Sequence, residues 1–329
     1  MSVHSVSRFA AWRLVIIIWA VLAAIGAEAP EAQATPIEKG IFAFLERDAS
    51  TLSPAHDFGS NPLLSWAELE PAEGIYNWGP LDHALSQASR VGKKVVPRVY
   101  TNASRLSQAT PDWFFALPYA QRYYSSPEAR ARGFEAPVPW DPVYQEKFGN
   151  FLRALGQRYN GNPAIEFFQT NAGGGLYGEV VLTGRNMFPA GWSAERQKAA
   201  IVRWIDRWLE AFPNTRLSLM VNPVGYNIGE DAATYAANRG IYLQQNSPWL
   251  SPAAASIFRK HQHATGIVLE VEDGCRTARG LDFDRVIASI FSHGIEINYL
   301  VVCSATLRDP ATLSKLPSVV DRLRPRQGP

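Results

Sequence analysis

Between Gly40 and Cys303, short β-branched or aromatic runs alternate with helical patterns, or with connections long enough to hold a helix. This alternation limits the fold more tightly than any other feature of the sequence. Strands that alternate with helices imply a parallel sheet with the helices packed outside it. The expected strands are 40–47, 61–66, 94–100, 165–171, 217–222, 241–246, 267–272 and 297–303. Helical spacing covers 81–91, 142–159, 193–212, 231–239, 251–261, 284–293 and 309–323. Gly92, Gly240 and Gly294 stand where helices stop, and Asp141-Pro142 and Ser251-Pro252 stand where they start. Eight such units in one chain of 329 residues fit a single α/β domain, a closed (β/α)8 (TIM) barrel. No linker, low-complexity segment or longer repeat interrupts it.

One connection is too long for a plain βα turn. After strand three a Pro- and aromatic-rich stretch runs from Thr101 to Trp140, with Trp113, Phe114, Tyr123, Tyr124 and Trp140. A loop insertion of this kind predicts a binding face.

The first 34 residues read as a signal peptide. Arg8 and Arg13 form the positive flank, Leu14–Ala27 the apolar stretch, and Ala32-Gln33-Ala34 the small-residue cleavage site. The apolar stretch is shorter than the roughly 20 residues of a membrane span. The mature domain, 35–329, is therefore expected to be secreted or periplasmic, with no membrane contact after cleavage. A net charge of +2 lacks the basic excess of a nucleic-acid binder. The only two cysteines are Cys275 and Cys303. Each follows or ends one of two neighbouring expected strands, so they form either a disulfide or a pair of buried thiols. A bridge there is worth about 3 kcal/mol in the chain-entropy model.

Barrel active sites lie at the C-terminal ends of the strands. That rule selects Trp66 at the end of strand two, and Arg98 and Tyr100 on strand three. It also selects Gln169 and Asn171 on strand four, with Tyr177 and Glu179 in the loop beyond. Asn222 ends strand five, Gln244, Gln245 and Asn246 end strand six, of which Gln245 is the expected substrate contact, and Glu270 and Glu272 end strand seven. The rim is thus rich in carboxylates and amides. The six histidines, His4, His56, His83, His261, His263 and His293, do not gather at strand ends, so neither a metal nor another cofactor is expected. Two carboxylates facing across a barrel mouth suit cleavage of a glycosidic bond: one protonates the leaving oxygen, the other attacks or activates water. Glu179 is the candidate acid. Glu270 is slightly preferred over Glu272 as nucleophile, because it directly follows the apolar run Ile267-Val268-Leu269. The other residues named would hold a carbohydrate substrate. Plainer roles exist for the same groups: one strand-seven glutamate would pair with Arg98 or Arg276, and Glu68, Glu70 and Glu73 read as a solvated turn.

Gly173-Gly174-Gly175-Leu176-Tyr177-Gly178 matches a dinucleotide-binding glycine pattern. That pattern needs a helix to open at once. Here Glu179-Val180-Val181-Leu182 looks extended, which argues against a nucleotide cofactor.

The segment Leu64-Ser65-Trp66-Ala67-Glu68-Leu69-Glu70-Pro71-Ala72-Glu73-Gly74-Ile75-Tyr76-Asn77-Trp78, followed by Leu81-Asp82 and by Gly92-Lys93-Lys94-Val95-Val96, carries a family signature. It resembles the clan of retaining (β/α)8 glycoside hydrolases that includes the β-galactosidases. The resemblance implies an acid/base at the end of strand four, in an Asn-Glu pair, and a nucleophile at the end of strand seven. Here strand four reads Asn171-Ala172. The implied acid then falls to Glu179 in the loop, or the barrel is a carbohydrate binder without catalysis.

Overall fold

The computed structural model describes residues 39–52, 58–102, 107–172, 188–221, 228–271 and 282–324. The barrel strands are β1 (Gly40–Phe44), β2 in two pieces (Phe58–Asn61 and Leu63–Ser65), β3 (Arg98–Tyr100) and β4 (Phe168–Gln169). They continue as β5 (Leu217–Met220), β6 (Tyr242–Gln245), β7 (Ile267–Val271) and β8 (Tyr299–Cys303). All pairings among them are parallel, and β1 lies between β8 and β2.

The ring closes through the second piece of β2, which pairs with β3 in the register Leu63↔Arg98 and Ser65↔Tyr100. Pro62 splits β2 because it has no N–H to give to a ladder. The seam is carried past it by Ser60, which bridges to Val95, and by the Arg98 N–H, which donates to the Pro62 carbonyl at 3.0 Å. The Asn61 side-chain amide adds a bond to the Val96 carbonyl. Eight parallel strands in sequence order therefore surround one axis, as the alternation predicts.

The main helices are α1 (Gly79–Arg90), α2 (Pro142–Tyr159), α3 (Ala194–Ala211), α4 (Ile228–Ala237), α5 (Pro252–His261), α6 (Phe283–Ser292) and α7 (Leu316–Arg322). Gly92 and Gly240, read as helix stops, have φ of 67° and 74°, the left-handed geometry that glycine accepts without strain. Asp141 caps α2 through Oδ1, which accepts from the Val143 N–H at 3.1 Å. Its Oδ2 accepts from the Gln121 N–H at 2.9 Å and so pins the stretch after β3 to the helix. That stretch carries an antiparallel pair, Arg122–Tyr123 with Ala136–Pro137, around a short helix, Pro127–Arg132. The single helix expected over 309–323 is instead Pro310–Leu313 followed by α7. Pro317 explains the break: its ring and missing N–H cannot follow an unbroken preceding turn.

Period two along the strands builds the barrel interior in layers. Phe42, Val96, Phe167, Tyr242, Val268 and Tyr299 form an apolar floor. Its rings pack edge to face or stacked, Phe42 on Phe167 at 5.9 Å and Phe167 on Tyr299 at 5.1 Å. Gly59 is required beside them, because a Cβ there would lie 2.1 Å from the Phe42 ring. The Tyr299 hydroxyl donates to Glu166 at 2.6 Å, and Arg216 holds the same carboxylate at 3.3 Å. Burial pushes the Tyr299 phenol far above its ordinary range. Two residues further along several of these strands come Arg98, Gln169, Gln244 and Glu270, which form a polar layer over the floor.

Outside the ring, strands and helices share one large apolar core. Among the described residues, no helix is long and apolar enough to cross a membrane.

Candidate active site

The polar layer is one connected network across six strands. Arg98 from β3 lies against Glu270 from β7 in an ion pair. The Gln244 amide donates to the same carboxylate oxygen at 3.1 Å. Arg98 Nε donates to Gln169 Oε1 at 2.6 Å, and Asn61 donates to that oxygen at 3.0 Å. The Gln169 amide and the Ser218 hydroxyl both donate to Gln244 Oε1, each at 2.9 Å. Arg98 and Glu270 are only 2% and 1% exposed. A buried carboxylate needs such partners, since its isolated charge would be very costly.

This geometry bears directly on the strand-seven pair. Glu270 is lodged against Arg98 and nearly sealed from solvent, the pairing that the plainer reading anticipates for one strand-seven glutamate. Glu272 lies outside the described residues, as do Glu179, Tyr177, Asn222 and Cys275. Cys303 is the last residue of β8 and is buried.

Three expected substrate contacts are placed elsewhere by the fold. Trp66 is fully buried and opens a short helix, Trp66–Leu69. It packs against Trp113, Phe114, Tyr144, Phe148 and Phe151 with ring centroids 5.2–6.4 Å away. Its indole N–H donates to Glu70 Oε2 at 2.6 Å. It is a core residue because the helical layer closes over it, and it offers no face to a sugar. Glu70, read as part of a solvated turn, is buried too. Burial raises its carboxyl pKa, against the bonds from the Gly74 N–H and Trp66. Gln245 shares its facing with Leu243 of the outer core, so it points toward the helices. Gln244 is the strand-six amide that faces inward.

Asn171 is buried just beyond β4. Its amide donates to Thr101 Oγ1 at 2.6 Å, and its carbonyl accepts from the Trp208 indole at 3.1 Å. Thr101 in turn lies 3.1 Å from the Tyr144 hydroxyl, whose pKa burial pushes well up. Asn171 is therefore tied to the helical layer. Ala172, at the position of the clan's acid, is fully buried in the outer core. Of the residues chosen from the sequence, Arg98, Gln169 and Glu270 meet in one network. Gln244, also at the end of strand six, completes it with Asn61 and Ser218, whose facing depends on a register that one sequence does not print.

Tyr100, also expected to touch substrate, lines a cavity of about 450 Å3 at the mouth with Leu45, Arg47, Leu63, Ser65, Glu68 and Ser107.

Known proteins place this architecture. Residues 58–180 match the β-galactosidase model of glycoside hydrolase family 42. That is well under half of the chain. The chain is also similar to β-galactosidase BgaA of a Thermus species, 33% identical over 120 residues, which are 36% of this chain and 18% of that protein. β-Galactosidase of Thermus thermophilus is 32% identical over 111 residues, 33% of this chain and 16% of that protein. The matched part thus spans less than a fifth of these relatives. Among solved structures, the catalytic domain of β-amylase from Paenibacillus polymyxa aligns over 89% of this chain and 100% of its own, with a TM-score of 0.63 at 10% identity. Gan42B, a GH42 β-galactosidase, aligns over 90% of this chain and 58% of its own, with a TM-score of 0.56 at 12% identity. At such identities the likeness establishes the fold alone, a (β/α)8 barrel. The resemblance to β-galactosidases rests on the sequence match over 58–180.

Proposed function

We propose that this chain is an exported glycoside hydrolase acting on a β-galactoside or a closely related sugar. The observation that carries the reading is the β-galactosidase match over 58–180, which covers β2 to β4 of a barrel with a polar layer beneath its mouth. In the mechanism we assign, Glu179 protonates the leaving glycosidic oxygen. Glu272 attacks the anomeric carbon and forms a glycosyl-enzyme ester. Glu179 then takes a proton from water as that water breaks the ester. This retaining course needs the two carboxyl groups about 5–5.5 Å apart. Arg98 and Glu270 support the site from below. A buried pair of opposite charge carries no net charge, so this layer does not itself oppose a further carboxylate in the site.

The test is turnover of an aryl β-galactoside and of a panel of other aryl glycosides. Glu179→Gln and Glu272→Gln are each expected to lower kcat by about 100-fold or more while the protein keeps its far-UV circular dichroism. Full activity in both variants sinks the assignment. A folded, inactive Glu270→Gln beside an active Glu272→Gln would move the nucleophile to Glu270. A second reading, a carbohydrate-binding barrel without catalysis, is favoured by Ala172 at the acid position of the clan. Saturable sugar binding with no turnover on any substrate would support it.

Export rests on the N-terminal pattern, and a Cys275–Cys303 bridge is part of the same reading. Val271 pairs with Val302 in neighbouring strands, so Cys303 stands one step past the ladder and Cys275 four residues past Val271. Intact mass of the secreted protein, with and without reduction and alkylation, checks both. Expected are a chain starting at Thr35 and no alkylation before reduction. A chain retaining residues 1–34, or two thiols alkylated without reductant, counts against the respective proposal.

A further inference from the structure

We infer that the cavity between the mouth ends of β1, β2 and β3 is a subsite for a neutral sugar ring beyond the point of cleavage. The inference rests on the glycoside hydrolase reading. The cavity's volume, about 450 Å3, lies in the range of small-molecule pockets, about 300–1,000 Å3.

Its position joins it to the polar layer. Tyr100 is two residues beyond Arg98 on β3 and shares its facing. Leu63 and Ser65 are the register partners of Arg98 and Tyr100. A ligand there would sit one layer above the Arg98–Glu270 pair.

Its chemistry selects the ligand. Leu45, Leu63 and Tyr100 supply apolar surface, and Arg47, Glu68, Ser65 and Ser107 supply polar groups. Arg47 and Glu68 hold each other in a two-pronged pair, Nη1 to Oε1 at 2.6 Å and Nη2 to Oε2 at 3.0 Å. Arg47 Nη2 also donates to the Leu63 carbonyl at 2.8 Å. The pair cancels its own charge, so the cavity presents fixed donors and acceptors without a net attraction for an ion. A pyranose ring, with a C–H face and a rim of hydroxyls, matches that mixture.

Leu45 is the independent sign of use. It follows β1 with φ of 65°, in the left-handed region that side-chain-bearing residues avoid, and it is 43% exposed. Core packing does not account for a large apolar side chain held there. Backbone strain of this sort concentrates at ligand-binding positions.

Leu45→Gly removes the side chain and the strain together, so the variant should melt at or above the wild-type temperature. We compare kcat/KM for galactotriose and for p-nitrophenyl β-galactoside. The expected result is a loss on the trisaccharide about tenfold greater than on the aryl monoglycoside, carried by KM. Arg47→Ala should show the same split. Equal losses on both substrates, or none, overturn the subsite and leave the hydrolase reading standing. If the wild type turns over neither compound, calorimetric titration with galactotriose, cellotriose and xylotriose decides the subsite. Binding to the wild type that weakens about tenfold in Leu45→Gly supports it. Equal affinity, or no binding by the wild type, overturns it.

Discussion

Arg98→Ala should destabilise the folded protein by about 3–5 kcal/mol, the usual cost of removing one partner from a buried ion pair. The substitution leaves the Glu270 carboxylate with one amide donor, Gln244, in a layer almost closed to solvent. It also takes from Gln169 the shorter of two bonds to its Oε1. Glu270→Ala should cost a similar amount for the converse reason, an isolated guanidinium. The double variant Arg98→Met, Glu270→Leu should recover more than half of either loss, because neither charge is then stranded. Urea unfolding followed by tryptophan fluorescence measures all three. If Arg98→Ala costs under about 1 kcal/mol, the scale of an exposed pair, then water reaches the pair and the sealed layer is wrong.

Trp66→Ala should cost about 3–5 kcal/mol by cavity formation. Five aromatic rings surround this side chain, and none can swing in without leaving its own neighbours. Glu70 adds to the cost, since it keeps only the Gly74 N–H bond once the indole is gone. Trp66→Phe should cost less: it retains most of the ring contact and loses the 2.6 Å indole bond. The same urea series serves here. A near-neutral Trp66→Ala that instead abolishes sugar binding would return Trp66 to the rim, as the sequence first suggests.

The contrast over Trp66 shows what one sequence carries. The ring of eight strands was legible because it depends on local signals that recur: apolar runs, helical spacing, and stops such as Gly92 and Gly240. Pro317 is legible as a residue, yet the apolar spacing continues on both sides of it and predicts one unbroken helix. Burial of Trp66 and Glu70 was not legible. The segment around them is punctuated by Pro71 and Gly74 like an exposed turn, and it is covered by distant residues, Tyr144, Phe148 and Phe151 of α2 together with Trp113 and Phe114. The choice of Gln245 over Gln244 failed for a related reason. Tyr242 and Leu243 are both apolar, one facing the floor and one the helices, so alternation does not reveal which amide turns inward. The Arg98–Glu270 contact was among the alternatives read from the sequence. Its extension through Asn61, Gln169, Ser218 and Gln244 required the register of six strands.

The packed rings of Phe42, Phe167, Tyr242 and Tyr299 have a consequence for traffic. They stopper the barrel at its base, so whatever comes in from the rim must turn round and leave by the same doorway. On the proposed hydrolase reading, departing fragments and arriving substrate compete for one passage, and a lingering product acts as a cork.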